Sequence, residues 1–207
     1  MAGRLPYLKE TPAQTAGPYV HIGLAPATAG LQPGGPQPGA EIAAPGVSGR
    51  RIRIEGTVLD ADGAPVRDAV IEVWQADAAG RYPHPEDPRA HEVEPGFNGW
   101  GRVVPDLASG RFAFETIKPG PIPGPNGGSQ APHLTLWLVA RGINIGLHTR
   151  LCFADEDAAN AACPVLARIE PHRRPTLLAA PEQPGPPPVY RFDIHLAGPA
   201  ETVFLDI

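Results

Sequence analysis

Hydrophobic and polar residues alternate in short runs through most of the chain after residue 50. In the run at 132–141, Leu134, Leu136 and Leu138 would face one side of a strand, and His133 and Thr135 the other. Glycine and proline turns separate this run from six similar ones, at 51–60, 69–77, 110–120, 145–153, 188–198 and 202–207. Seven short strands of this kind predict an all-β fold, a mixed β-sandwich with long Pro/Gly-rich loops.

The remaining segments predict one short helix and an extended amino-terminal region. Only residues 155–162 (DEDAANAA) have a helical composition, and Asp155 is the expected N-cap. Residues 1–24 form a largely non-periodic arm, and residues 25–49 are rich in proline, glycine and alanine. We therefore expect an arm and loop over 1–49 and a β-sandwich domain over 50–207.

Composition and charge narrow the classes of function. The chain has 24 glycines and 28 prolines among 207 residues, but its 42% hydrophobic content favours a turn-rich β protein over disorder. A net charge of −5, with no basic cluster beyond Arg50, Arg51 and Arg53, argues against nucleic-acid binding. No apolar run approaches the ~20 residues of a membrane helix, and no signal peptide is recognisable, so we expect a cytoplasmic protein away from membranes. Its two cysteines, Cys152 and Cys163, are then expected to be buried free thiols.

His133 is the first candidate for chemistry, as a metal ligand, a catalytic base or a hydrogen-bonded core residue. A second histidine at position 135 would favour a metal site, because residues two apart on a strand share a face, but position 135 is a threonine. On a neighbouring predicted strand, His148 and Arg150 share a face, and a polar face of the sandwich is the simpler interpretation for them.

Several long phrases occur together in the order of a known family. They are TPAQTAGPYVHIGL (11–24), VLDADGAPVRDAVIEVWQADAAGRY (58–82), FAFETIKPGPIP (112–123) and APHLTLWLVARGINIGLHTRLCF (131–153). On these phrases the chain resembles the intradiol aromatic-ring dioxygenases over nearly its whole length. Within that family it resembles the α-type chains of the members that are built from two kinds of chain.

The resemblance implies a metal site that this chain has partly lost. Catalytic chains of the family hold Fe(III) with two tyrosines and two histidines, hard phenolate donors completed by imidazoles. Tyr82 and His133 match one ligand of each kind, whereas Ile122 and Thr135 replace the others, and Gln130 replaces a neighbouring arginine. We therefore expect no working iron site, and no catalytic residue, in this chain itself.

The resemblance also implies a role in a partner's site. In the family, a β chain holds Fe(III), and the α-type chain lines the substrate cavity with residues that match Thr15, Gly17, Pro18, Tyr19 and Arg141. The αβ complex cleaves the aromatic acid protocatechuate with O2 to 3-carboxy-cis,cis-muconate, in the β-ketoadipate route of aromatic breakdown. This chain alone is expected to be inactive.

Two other functions stay open at this point. One is a self-sufficient homo-oligomeric intradiol dioxygenase acting on catechol or hydroxyquinol, which the missing tyrosine and histidine oppose. The other is a non-enzymatic β-sandwich binding module, since a fold does not determine a function. The arm motif opposes that second alternative, because a free-standing module has no evident use for it.

Overall fold

The computed structural model describes residues 15–17, 19–31, 34, 39–183 and 185–206. Pro18, one of the predicted site residues, lies outside the described residues. The strands are β1 Arg51–Leu59, β2 Val70–Gln75, β3 Trp100–Val103, β4 Arg111–Ile117, β5 Ile122–Pro123, β6 Ser129–Gln130, β7 His133–Val139, β8 Leu147–Phe153, β9 Leu178–Gln183, β10 Val189–Arg191 and β11 Ile194–His195. The α-helices are α1 Val20–Leu24 and α2 Asp157–Ala162. Short 3-10 turns lie at Pro26–Ala29, Ala90–Glu92, Pro125–Gly127, Leu166–Arg168 and Arg174–Leu177.

Nine of these strands form one mixed sheet whose two halves enclose the core. The order is β11-β1-β10-β9-β8-β7-β2-β3, with β4 antiparallel to β1, while β5 and β6 form a separate pair. Ile52 and Ile54 of β1 lie in the same buried cluster as Leu134 and Leu136 of β7, so the two halves face each other. The alternation along β7 thus places leucines in the core and leaves the opposite face for His133 and Thr135. The predicted all-β, mixed sandwich is confirmed.

The strand prediction is wrong at the carboxyl terminus. Within the described part of 202–207, the only ladder contact is an isolated bridge between Leu205 and His148. The backbone of Val203 is instead satisfied by side chains, its oxygen by the Thr149 hydroxyl at 2.8 Å and its N–H by the Thr176 hydroxyl at 3.2 Å. At Val203 hydrogen bonds to side chains therefore replace the predicted ladder, while the N–H groups of Thr202 and Leu205 donate to the carbonyl oxygens of His195 and His148.

The helix prediction is confirmed at Asp157–Ala162, but the predicted cap is wrong. Glu156 occupies the N-cap position without a side-chain cap. The Asp155 carboxylate accepts hydrogen bonds from the Tyr190 hydroxyl at 2.7 Å and from Lys118 Nζ at 3.0 Å. A largely buried ammonium group thus holds this carboxylate more strongly than the helix amides could.

Two further expectations concern membranes and cysteines. Among the described residues, no helix combines the length and the apolar character that crossing a bilayer requires. Cys152 and Cys163 are buried, free, and members of one small cluster with Leu166 and Leu177, which confirms the prediction of free thiols.

Candidate functional site

Two loops bring the positions of the family's tyrosine ligands together. The Asp77 carboxylate organises the first loop by accepting the backbone N–H groups of Ala79 and Arg81, both at 2.9 Å. Gly80 has a φ of +73°, and a Cβ there would collide with the carbonyl oxygen of Pro121 in the second loop. Because the loops approach this closely, Tyr82 and Ile122 line one cavity of about 610 Å³.

Strand pairing joins this cavity to the positions of the histidine ligands. Thr135 on β7 lies directly opposite Trp74 on β2, and the Trp74 ring stacks on the Tyr82 ring with 5.5 Å between their centroids. His133 lies two residues before Thr135 on the same face of β7. The structure therefore brings Tyr82, Ile122, His133 and Thr135 into one region, which we call the remnant metal site.

His133 is a buried, neutral residue of this site. Its Nδ1 lies 2.7 Å from the carbonyl oxygen of Ala131, so the neutral ring donates its Nδ1–H there. Burial and, secondarily, the positive charge of Arg150 lower the pKa of His133 to about 4. The same burial raises the pKa of the Tyr82 phenol, so at neutral pH both side chains are uncharged.

Arg150 is a residue of this site whose position the sequence analysis did not predict. It lies directly opposite Thr135 on β8, and its Nη1 donates to Gln130 Oε1 at 2.6 Å. Gln130 in turn pairs with Ile122 between β6 and β5. The sequence indicated only that Arg150 shares a strand face with His148. The β7–β8 register shows that this face also carries Thr135.

The donor set of the remnant metal site does not fit Fe(III). Isoleucine has no donor atom, a threonine hydroxyl is a weak neutral donor, and only Tyr82 and His133 have suitable side chains. Among the described residues, no group of three or more His, Cys, Asp or Glu side chains is arranged to hold a metal. A positively charged guanidinium also lies among the four positions, which opposes cation binding further.

Thr15, a predicted residue of the arm, lies against the loop that follows β7. The Gly142 N–H donates to Thr15 Oγ1 at 2.8 Å, which places Thr15 beside Arg141. At the other end of α1, Arg102 Nη1 donates to the Leu24 carbonyl oxygen at 2.8 Å. The described part of the arm is therefore held at Thr15 by this loop and at Leu24 by β3.

Between these two anchors Ala16, Tyr19 and Ile22 are exposed, whereas Val20 is buried. Gly17 has a φ of +72° with free space where a Cβ would be, and the Tyr19 side chain is 73% exposed. Arg141 is 65% exposed as well. We call Thr15, Gly17, Tyr19, Arg141 and Gly142 the arm–loop face.

Asp68 is a second residue that the sequence analysis missed. Its Oδ2 lies 3.2 Å from Arg141 Nε, and its side chain is only 10% exposed. Its other oxygen, Oδ1, is buried and has no hydrogen-bond partner among the described residues. In the β2–β7 register Val70 lies opposite Val139. Continuing this register by two residues places Asp68 opposite Arg141. Sequence alone does not show that register.

The arm–loop face and the remnant metal site lie at opposite ends of β7. His133 begins the strand, and Arg141 lies two residues beyond its last residue, Val139. Six residue steps in extended conformation span ~20 Å. Arg141 is therefore too far away to contact a molecule bound beside His133 of the same chain.

Comparison with known proteins agrees with this architecture. A family model described as "Dioxygenase" matches residues 43–198. The chain is 48% identical to the protocatechuate 3,4-dioxygenase alpha chain of Pseudomonas putida, over 96% of this chain and 97% of that protein. It is also 52% identical to the protocatechuate 3,4-dioxygenase beta chain of Burkholderia cepacia, over 36% of this chain and 32% of that one.

A solved structure shows the same relationship in three dimensions. The dioxygenase domain of a dioxygenase–carbohydrate-binding protein fusion from Streptomyces sp. SirexAA-E aligns with a TM-score of 0.58 and 25% identity, covering 81% of this chain and 92% of that one. The sequence match over nearly the full length and the shared fold lead to one assignment. The chain belongs to the family of intradiol ring-cleavage dioxygenases.

Proposed function

We propose that this chain is the α-type subunit of a protocatechuate 3,4-dioxygenase and completes the substrate cavity of a partner β chain. The observation that carries this proposal is the separation along β7. The chain's own metal positions are degenerate, whereas the exposed arm–loop face lies ~20 Å away at the other end of the strand. Residues placed there serve a site outside this chain.

The arm–loop face suits a flat aromatic acid. Asp68 pairs with Arg141 at Nε, and the Arg141 side chain is 65% exposed, so its guanidinium is accessible to a substrate carboxylate. Tyr19 offers an exposed ring and one hydroxyl, and the open space at Gly17 allows the backbone to approach a ring closely. These residues bind and orient the substrate, and none of them is required to transfer a proton.

Exposed apolar side chains around this face support a protein partner. Tyr19 and Ile145 are each 73% exposed, and Ile22 at 36% lies on the same arm. Ile145 belongs to the loop that starts at Arg141 and Gly142, so the arm and the loop present apolar groups beside a charged one. An apolar patch rimmed by polar groups is typical of a protein interface, and we assign it to the β chain.

The remaining features of the proposal follow from the family. Membership implies a non-haem iron in the complex, and we place that Fe(III) in the β chain because the donor set of this chain does not fit it. The division into an arm and loop at 1–49 and a domain at 50–207 stays a prediction, as does a cytoplasmic location. Ile42, within the first of these segments, packs in the main core.

The proposal is tested by comparing this chain alone with a co-expressed αβ complex. We expect co-purification, and protocatechuate-dependent O2 uptake only in the complex. Arg141→Ala should raise the KM of the complex for protocatechuate while leaving its iron content unchanged. The matched control is Arg67→Ala, which removes an exposed arginine in the turn before β2. Ring cleavage by the isolated chain, or loss of iron in Arg141→Ala, would contradict the assigned role.

A further inference from the structure

Arg150 has an unusual environment for a half-buried charge. No carboxylate among the described residues lies within 4.0 Å of its guanidinium, whose one side-chain hydrogen bond is to the neutral amide of Gln130. Glu170, Glu201 and Asp206 line a cavity together with Arg150, but none of them forms a salt bridge with it, so the direction taken by the guanidinium calls for an explanation.

The path of the Arg150 side chain explains its position. The side chain starts opposite Thr135 on β8, and its guanidinium ends at Gln130, three residues before His133. It therefore runs along the face from which His133 projects. The small threonine at position 135 leaves this path open, whereas a histidine there would compete for the same space. Gln130, at the end of the path, lies opposite Ile122.

We propose that Arg150 takes the electrostatic place of the metal ion and excludes cations from the remnant metal site. The site is then closed to iron by two independent features, the loss of two ligand side chains and the presence of a fixed guanidinium. Restoring the ligands alone leaves the second barrier in place. A cation held by Tyr82 and His133 would be repelled by Arg150, whose side chain runs from the position opposite Thr135 to Gln130.

The test restores the ligands with and without the charge. The Ile122→Tyr/Thr135→His chain is prepared with Arg150 intact, with Arg150→Met, and with Arg150→Lys as the matched control that keeps the charge. Each protein, expressed without the β chain and checked by circular dichroism, is dialysed against ferric citrate. Bound iron is counted by elemental analysis, and tyrosinate coordination is read from its visible charge-transfer absorption.

We expect the Arg150→Met protein to bind Fe(III) at least ~30-fold more tightly than the proteins with Arg150 or Arg150→Lys, a value at the low, water-like end of Coulomb repulsion for a trivalent ion. Equal binding by all three, or no binding by the Arg150→Met protein, would overturn the proposal. If the paired substitutions unfold the chain, Thr135→His alone is compared with and without Arg150→Met by Co²⁺ absorption. Equal Co²⁺ affinity would then overturn it.

Discussion

Asp68→Asn is predicted to weaken protocatechuate binding by the αβ complex although Asp68 itself is buried below the surface. In the wild type, Asp68 Oδ2 lies 3.2 Å from Arg141 Nε and so restrains the exposed guanidinium. The amide of asparagine keeps the shape of the carboxylate but removes its charge. Arg141 would then sample several rotamers and lose conformational entropy on binding the substrate.

The expected size of the effect follows from the geometry of the pair. Two unit charges 3.2 Å apart attract by about 1 kcal/mol at the dielectric constant of water and by about 5 kcal/mol at an effective dielectric constant of 20. Arg141 is 65% exposed, so the water-like limit applies, and measured exposed pairs contribute at most about 1 kcal/mol. We therefore expect KM to rise ~5-fold with kcat little changed.

The assay is a double-mutant cycle on the complex. Arg141→Ala alone should raise KM ~30-fold, because it removes a charge-assisted contact worth about 2 kcal/mol. Adding Asp68→Asn to that variant should have no further effect, since Asp68 acts through Arg141. Iron content serves as a control and should stay close to wild type for each variant. The urea midpoint should fall in Arg141→Ala, which leaves the largely buried Asp68 carboxylate without its cation, and should recover when Asp68→Asn is added.

Additive effects of Asp68→Asn and Arg141→Ala on KM would refute this reasoning. Additivity would mean that Asp68 influences the substrate independently of Arg141. An unchanged KM in Asp68→Asn would show that the arginine is held by other contacts once the β chain is in place.

Three further predictions concern this chain alone. The folded-state pKa of His133 is about 4, against 6.5 for an ordinary histidine, so between pH 7 and pH 5 only the unfolded chain gains this proton. Urea unfolding should therefore show about 2 kcal/mol of stability lost from pH 7 to pH 5 through this group. This contribution to the pH dependence should be absent in His133→Asn. Burial, reinforced by Cys163, raises the pKa of Cys152 to about 12, so iodoacetamide at pH 8 should label Cys152 only after unfolding, as mass spectrometry would show. Lys118 Nζ contacts Asp155 at 3.0 Å and Glu156 at 2.6 Å. Lys118→Met leaves these two carboxylates without their cation and should lower the free energy of unfolding by about 2 kcal/mol. An unchanged urea midpoint would show that the contacts are dispensable.

The sequence predicted those parts of the fold that depend on local pattern. The leucine alternation of β7 is confirmed because one face of that strand packs in the core. Strand β9, LAAPEQ, was missed because its small residues and proline show no alternation, although it joins the two halves of the sheet. Asp155 was misassigned because its partners, Lys118 and Tyr190, lie 37 and 35 residues away in the chain.

The candidate site, like the fold, could be predicted only in part from the sequence. The replacement of metal ligands at Ile122 and Thr135 could be predicted by comparing the sequence with the family's motifs. The roles of Asp68 and Arg150 could not be predicted, because they depend on which residue lies opposite on the neighbouring strand. Register is set by packing and turns over the whole sheet, and a single sequence does not determine it.

Whether this chain binds iron itself is decided by measuring iron per chain in the protein expressed alone and purified without added metal. We expect a value near zero, with iron and protocatechuate cleavage appearing together only when a β chain is co-expressed. A value near one iron per chain would show that Tyr82 and His133 still build a metal site beside Arg150. That result would contradict the central claim that this chain serves its partner's iron and holds none itself.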